Sequence, residues 1–137
     1  MNHTLKKHMP DFNWVKERAE CSLGLVFAKL TAEIQDDVEK RNQAPQEARP
    51  VKFATGSISG NHIVVVKEGR FNKGVTFRLT QDCIEVLDDA ERPMFEATLT
   101  LNDDGECRFK IGGQEVESWQ LRKKALEDLF FKETRRE

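Results

Sequence analysis

The stretch Glu68–Thr80, EGRFNKGVTFRLT, admits two readings that lead to different folds. In the first, Gly69 and Gly74 enclose four residues, a lysine lies nearby and a threonine follows, as in a phosphate-binding loop. That motif requires lysine directly after the second glycine, and a helix whose N-terminus faces the phosphates. Here Val75 follows Gly74, and Lys73 precedes it. In the second reading, Val75, Phe77 and Leu79 alternate with Thr76, Arg78 and Thr80, the period of a strand with one buried face. No helix begins there, so the loop is a connection between two strands.

The same period continues on both sides. Val51 and Phe53 alternate with Lys52 and Ala54, Phe95 to Leu101 with Glu96, Thr98 and Thr100, and Cys107 to Ile111 with Arg108 and Lys110. HIVVVK, at 62–67, is apolar on both faces and reads as a central or doubly covered strand. Turn residues separate these runs at Gly60-Asn61, Gln81-Asp82, DDAERP, NDDG and Gly112-Gly113. The pattern predicts six or seven antiparallel strands in a meander.

Before the strands, Phe12, Val15, Ala19, Leu23, Val26, Phe27, Leu30, Ile34 and Val38 recur mostly at steps of three and four, one stripe of a helix. Asp11 stands at the N-cap position, and Asn42 with Pro45 supplies the stop. Such a helix would be roughly 45 Å long, against a radius of gyration of about 14 Å for a compact chain of this size. It must therefore break, near Gly24, or project with Ile34 and Val38 exposed. The projecting form would present those two residues to a second copy. After the strands, Ser118 is placed to cap a last helix with a stripe of Leu121, Ala125, Leu126, Leu129 and Phe130. The fold class is α+β, with both helices on the apolar sheet face. The expected organisation is a flexible tail at 1–10 and one domain at 11–137, comprising helix 11–43, linker 44–50, sheet 51–117 and helix 118–137.

Charge is uneven although the net value is only -2. Residues 48–81 carry six basic side chains against one acid, and residues 82–117 carry three against eleven. Asymmetry of this kind fits an anionic partner, head-to-tail self-attraction or drift of surface charge between hairpins. Arg70, Phe71 and Lys73 in the loop, with Arg78 on the following strand, are the candidate contact residues. Nucleic acid is the weaker partner class: a pI near 6.0 is low for a dedicated binder, and Phe53 and Phe77 take the buried phase.

Catalytic and metal chemistry find little support. His3, His8 and His62 are scattered, Cys21, Cys83 and Cys107 lack a CxxC pair, and NDDGE at 102–106 lacks the carboxylates of a calcium loop. GSISG at 56–60 is no nucleophile elbow, and nothing places His62 beside Cys83. No catalytic, metal or cofactor residue is assigned. Three cysteines without spacing predict reduced thiols and a cytoplasmic protein, and the apolar runs are too short to span a bilayer. The expected function is a non-catalytic protein-interaction or self-assembly module, as a homodimer. The alternatives are a small-molecule binder or enzyme using a cavity between sheet and helix, and a nucleic-acid binder through basic residues 49–78.

Overall fold

In the computed structural model, residues 12–45, 51–69 and 73–132 are described. Helix α1 spans Trp14–Glu20, and the Asn13 side chain caps it by accepting from the Lys16 backbone N–H at 3.0 Å. The expected cap, Asp11, lies outside the described residues. Helix α2 spans Leu23–Gln43. The helical stripe therefore breaks, at Cys21-Ser22 and just ahead of Gly24, where Cys21 leaves helical geometry with φ -87 and ψ 65.

Helix α2 buries Phe27, Leu30, Ile34 and Val38, four residues of one stripe at helical spacing. This corrects the expectation of an exposed helix end. Ile34 is wholly inaccessible and Val38 nearly so, both inside the chain's own core. The break shortens the second helix to roughly 31 Å at 1.5 Å per residue. The sheet covers that length, and the pair offers no surface for self-association. The stop at Gln43 follows as expected, with Ala44 in extended backbone ahead of Pro45.

Seven strands follow: β1 Phe53–Ile58, β2 His62–Lys67, β3 Lys73–Leu79, β4 Ile84–Leu87, β5 Pro93–Leu101, β6 Cys107–Ile111 and β7 Gln114–Val116. They pair antiparallel in chain order, the predicted meander. Helix α3, Ser118–Phe131, closes the described fold. Its cap is Glu117, one residue before the expected Ser118. Glu117 and Gln120 form a reciprocal capping box that satisfies two otherwise orphaned N–H groups.

Register explains the core. Ile63 pairs Phe77, Phe77 pairs Val86 and Ile84 pairs Ala97, so their side chains share the face that meets α2 and α3. Phe27, Phe53, Phe77 and Phe109 fill the interface between sheet and helices, together with Leu30, Ile34, Leu121 and Leu126. Each such side chain contributes about 1.5–3 kcal/mol by leaving water. On the opposite face of β2, Val64 and Val66 are only half-buried, so HIVVVK lies between two strands but is covered fully on one side.

The second glycine of the opening stretch also finds its reason. A Cβ on Gly74 would meet the backbone carbonyl oxygen of Val65 at 3.0 Å and the Val66 side chain at 3.4 Å. Glycine there lets β3 approach β2; it cradles no phosphate. At the β6–β7 turn, Gly112 and Gly113 take φ of 60 and 80, the left-handed pair that a two-residue hairpin requires.

The cysteines depart from expectation. Cys21 and Cys107 form a disulfide, with Cα atoms 5.5 Å apart across a sequence separation of 86. Cys83 is the free, buried thiol. An odd cysteine count leaves one thiol over but says nothing of whether the other two meet, which depends on the helix break lying against β6. The bond fixes that break to the sheet beside the Thr100 carbonyl, 3.7 Å from the Cys21 sulfur.

Candidate functional site

The residues expected to make contacts are dispersed. Arg70 and Phe71 lie outside the described residues. Lys73 opens β3, exposed and directly opposite Lys67. Arg78 is engaged: its Nη2 and Nε donate to Glu85 Oε1 at 2.7 and 3.0 Å across the β3–β4 ladder. Phe53 and Phe77, the aromatic residues of the basic segment that the structure describes, are buried in the core.

The structure does bring GSISG and His62 together. The Ser57 hydroxyl lies 2.8 Å from His62 Nε2, and the Ser59 hydroxyl 2.9 Å from Nδ1. Ser59 also donates to Asn61 at 2.7 Å. All four residues belong to one solvent-facing hairpin tip, and no carboxylate is among these contacts. The network holds the β1–β2 connection across the register shift between Thr55 and Ile58. Among the described residues, no group of three or more His, Cys, Asp or Glu side chains has the arrangement to hold a metal ion. NDDGE is a turn: Asn102 Oδ1 accepts from the backbone N–H groups of Asp104 and Glu106 at 2.9 and 3.0 Å. Cys83 sits in the β3–β4 turn beside Thr80, and burial pushes its thiol above the usual range.

A more developed site lies between α2 and α3, as an open groove of about 410 Å³. Its walls are fixed by an ionic lattice. Arg122 donates through Nη1 to both oxygens of Asp37 at 2.7 and 2.6 Å, and Ser118 Oγ donates to Glu33 at 2.5 Å. Arg122 is well shielded, with 15% side-chain exposure, so these charge-assisted bonds hold the two helices in register. The buried Leu126 and Phe130 line it, together with the exposed Trp119 and Phe131 from the two ends of α3. Those two aromatic residues are 53% and 66% exposed, among the largest apolar side chains left in water.

Arg41 enters the same groove from the last turn of α2. Its guanidinium carbon lies 4.7 Å from the centre of the Phe131 ring and 5.1 Å from that of Phe53. Its Nε donates to the Phe130 carbonyl at 2.9 Å, while its Nη1 is buried without a hydrogen-bond partner among the described residues. Nearby cations are provided for: Lys40 with Asp36 at 2.8 Å, Lys123 with Glu127 at 2.9 Å, and Arg122 with Asp37.

Sequence reasoning overlooked this groove. One signal was present: Trp119 and Phe131 fall off the buried stripe of α3, although large aromatic side chains ordinarily follow it. Arg41 carried no such signal, since its surroundings come from three separate elements. No protein-family model matches the chain, and no curated protein or solved structure is significantly similar to it.

Proposed function

We propose that the chain is a non-catalytic protein-interaction module whose contact face is the α2–α3 groove. The observation that carries this reading is the pair Trp119 and Phe131, near the two ends of α3, both left in water beside the apolar Leu126 and Phe130. Aromatic residues at such positions cost solubility and supply the anchoring energy of interfaces. The test is capture of a partner from the source organism by the wild-type chain and by a Trp119→Gln/Phe131→Gln variant. A module that uses this face retains a partner that the equally stable variant releases; equal retention refutes the reading.

Self-association is a second reading, supported by the meander itself. Among the described residues, chain order puts Lys52, Lys67, Lys73 and Arg78 at β1–β3 and most acids of residues 82–117 at β4–β7 and their turns, so opposite charge lies toward opposite sides of the sheet. The homodimer this suggests would weaken with salt. Light scattering that gives the mass of one chain at every concentration and at low salt refutes it. For location, the Cys21–Cys107 bond supports an oxidising compartment rather than the cytoplasm expected from reduced thiols.

A further inference from the structure

We infer that the α2–α3 groove recognises a carboxylate on an apolar peptide segment of a partner protein, with Arg41 as the residue that receives it. This rests on the reading of the groove as a contact face and adds the chemistry of its occupant. A buried guanidinium nitrogen without an acceptor is unfavourable, because a charged donor has left water and gained nothing in exchange. The neighbouring cations Lys40, Arg122 and Lys123 each have a carboxylate of their own; among the described residues Arg41 has a carbonyl and two aromatic faces. Charge complementarity therefore selects an acidic occupant at this position. The planar fork of arginine suits a carboxylate approached in its own plane, while the buried Phe53 ring and the Phe130 carbonyl hold the fork still.

The cover over that nitrogen is displaceable. Phe131 is the last residue of α3, stacks on the guanidinium and has two thirds of its surface in water. Turning its ring outward gives up an edge contact with Phe130, ring centres 6.2 Å apart, and opens the Arg41 edge to the groove while Phe130 and Leu126 stay in the core. Apolar side chains flanking the carboxylate would then lie on Leu126 and against Trp119. The occupant is thus a segment with one acid among apolar residues, rather than a run of acids, which the paired lysines would not select.

The test is a titration of the full chain, labelled with ¹⁵N, with two probes, Ac-Leu-Leu-Glu-NH₂ and Ac-Leu-Leu-Gln-NH₂, following the Trp119 indole and Arg41 Nε–H signals. The acidic peptide is expected to shift both signals and to bind about tenfold more tightly than its neutral isostere, the effect of one charge-assisted bond. Arg41→Gln removes that preference, and Arg41→Lys, which keeps the charge without the fork, removes most of it; the lysine variant carries the test if the glutamine variant does not fold. Equal affinity for the two peptides in the wild type, or a preference that survives both variants, overturns the inference and leaves the groove as a contact face. Binding of neither peptide overturns it, as does a doubled mass with Trp119 already protected, which makes a second copy the occupant. Undiminished binding to the Trp119→Gln/Phe131→Gln variant instead refutes the groove reading itself.

Discussion

Replacing Cys107 with serine cuts the cross-link between the α1–α2 break and β6, and the size of the loss can be worked out from the chain. A separation of 86 residues restricts the unfolded ensemble by about 15 cal/mol/K in the chain-entropy model, or about 4.6 kcal/mol at 25 °C. Measured values usually fall somewhat below that ceiling. Cys107 is the better position to change, because it is exposed whereas Cys21 is buried, where serine would add an unwanted desolvation cost. In a Cys83→Ala background, which prevents thiol exchange in both proteins, urea unfolding should give a loss of about 3–4.6 kcal/mol. Its m-value should rise as the unfolded chain expands. Alkylation after unfolding should count no thiol in the cross-linked protein and one in the variant. A loss below about 1 kcal/mol would show that the unfolded chain is not restrained as the cross-link requires. A count of two thiols in the Cys83→Ala protein that keeps Cys107 would remove the bond altogether.

Ile34→Ala should cost about 2–5 kcal/mol in urea unfolding, since its side chain is wholly enclosed; Ile34→Glu should unfold the chain rather than divide a dimer. Asn42→Ala should cost about 1–3 kcal/mol and speed hydrogen exchange at the Phe53 amide, because the carboxamide bonds both the N–H and the carbonyl of Phe53 at 2.9 and 2.8 Å. Asn42→Asp should be worse than alanine, as a carboxylate would face the Phe53 carbonyl. Asp88 is held below its ordinary value near 3.8 chiefly by the Arg92 backbone N–H, then by that of Ala90 and by the Arg92 charge. Its contribution is complete above that ordinary value and lost as pH falls through the lower folded one. The thermal midpoint of Asp88→Asn should therefore converge on that of the wild type in strong acid; a difference that does not vary with pH refutes the assignment.

How much could be read in advance follows from where each signal resides. Alternation in Val75–Leu79 and Phe95–Leu101 is written residue by residue, and a meander needs little more than turns between such runs. The α2 stripe was equally plain. The point at which the helix breaks was not, because Cys21 departs from helical geometry where it bonds β6, and a partner 86 residues away leaves no local trace. The misplaced exposure of Ile34 and Val38 followed from treating two helices as one. Glu117 and Ser118 compete for the same cap within one residue, and the capping box with Gln120 decides between them. The groove is a tertiary product: Arg41 is ordinary in sequence until Phe53, Phe130 and Phe131 close around it.

The strictly sequential strand order has a kinetic consequence. Each strand pairs with the one made just before it, so the sheet can zip hairpin by hairpin with short loops to close, the circumstance that favours fast folding among β-rich chains. During synthesis β1 to β5 are complete before Cys107 leaves the ribosome. Helices α1 and α2 are made before the strands, but α2 has no covered face until the strands exist. Sealing of Cys21 to Cys107 is therefore a late step that locks an arrangement already reached, and a chain halted before β6 would lack the cross-link that fixes the α1–α2 break to the sheet.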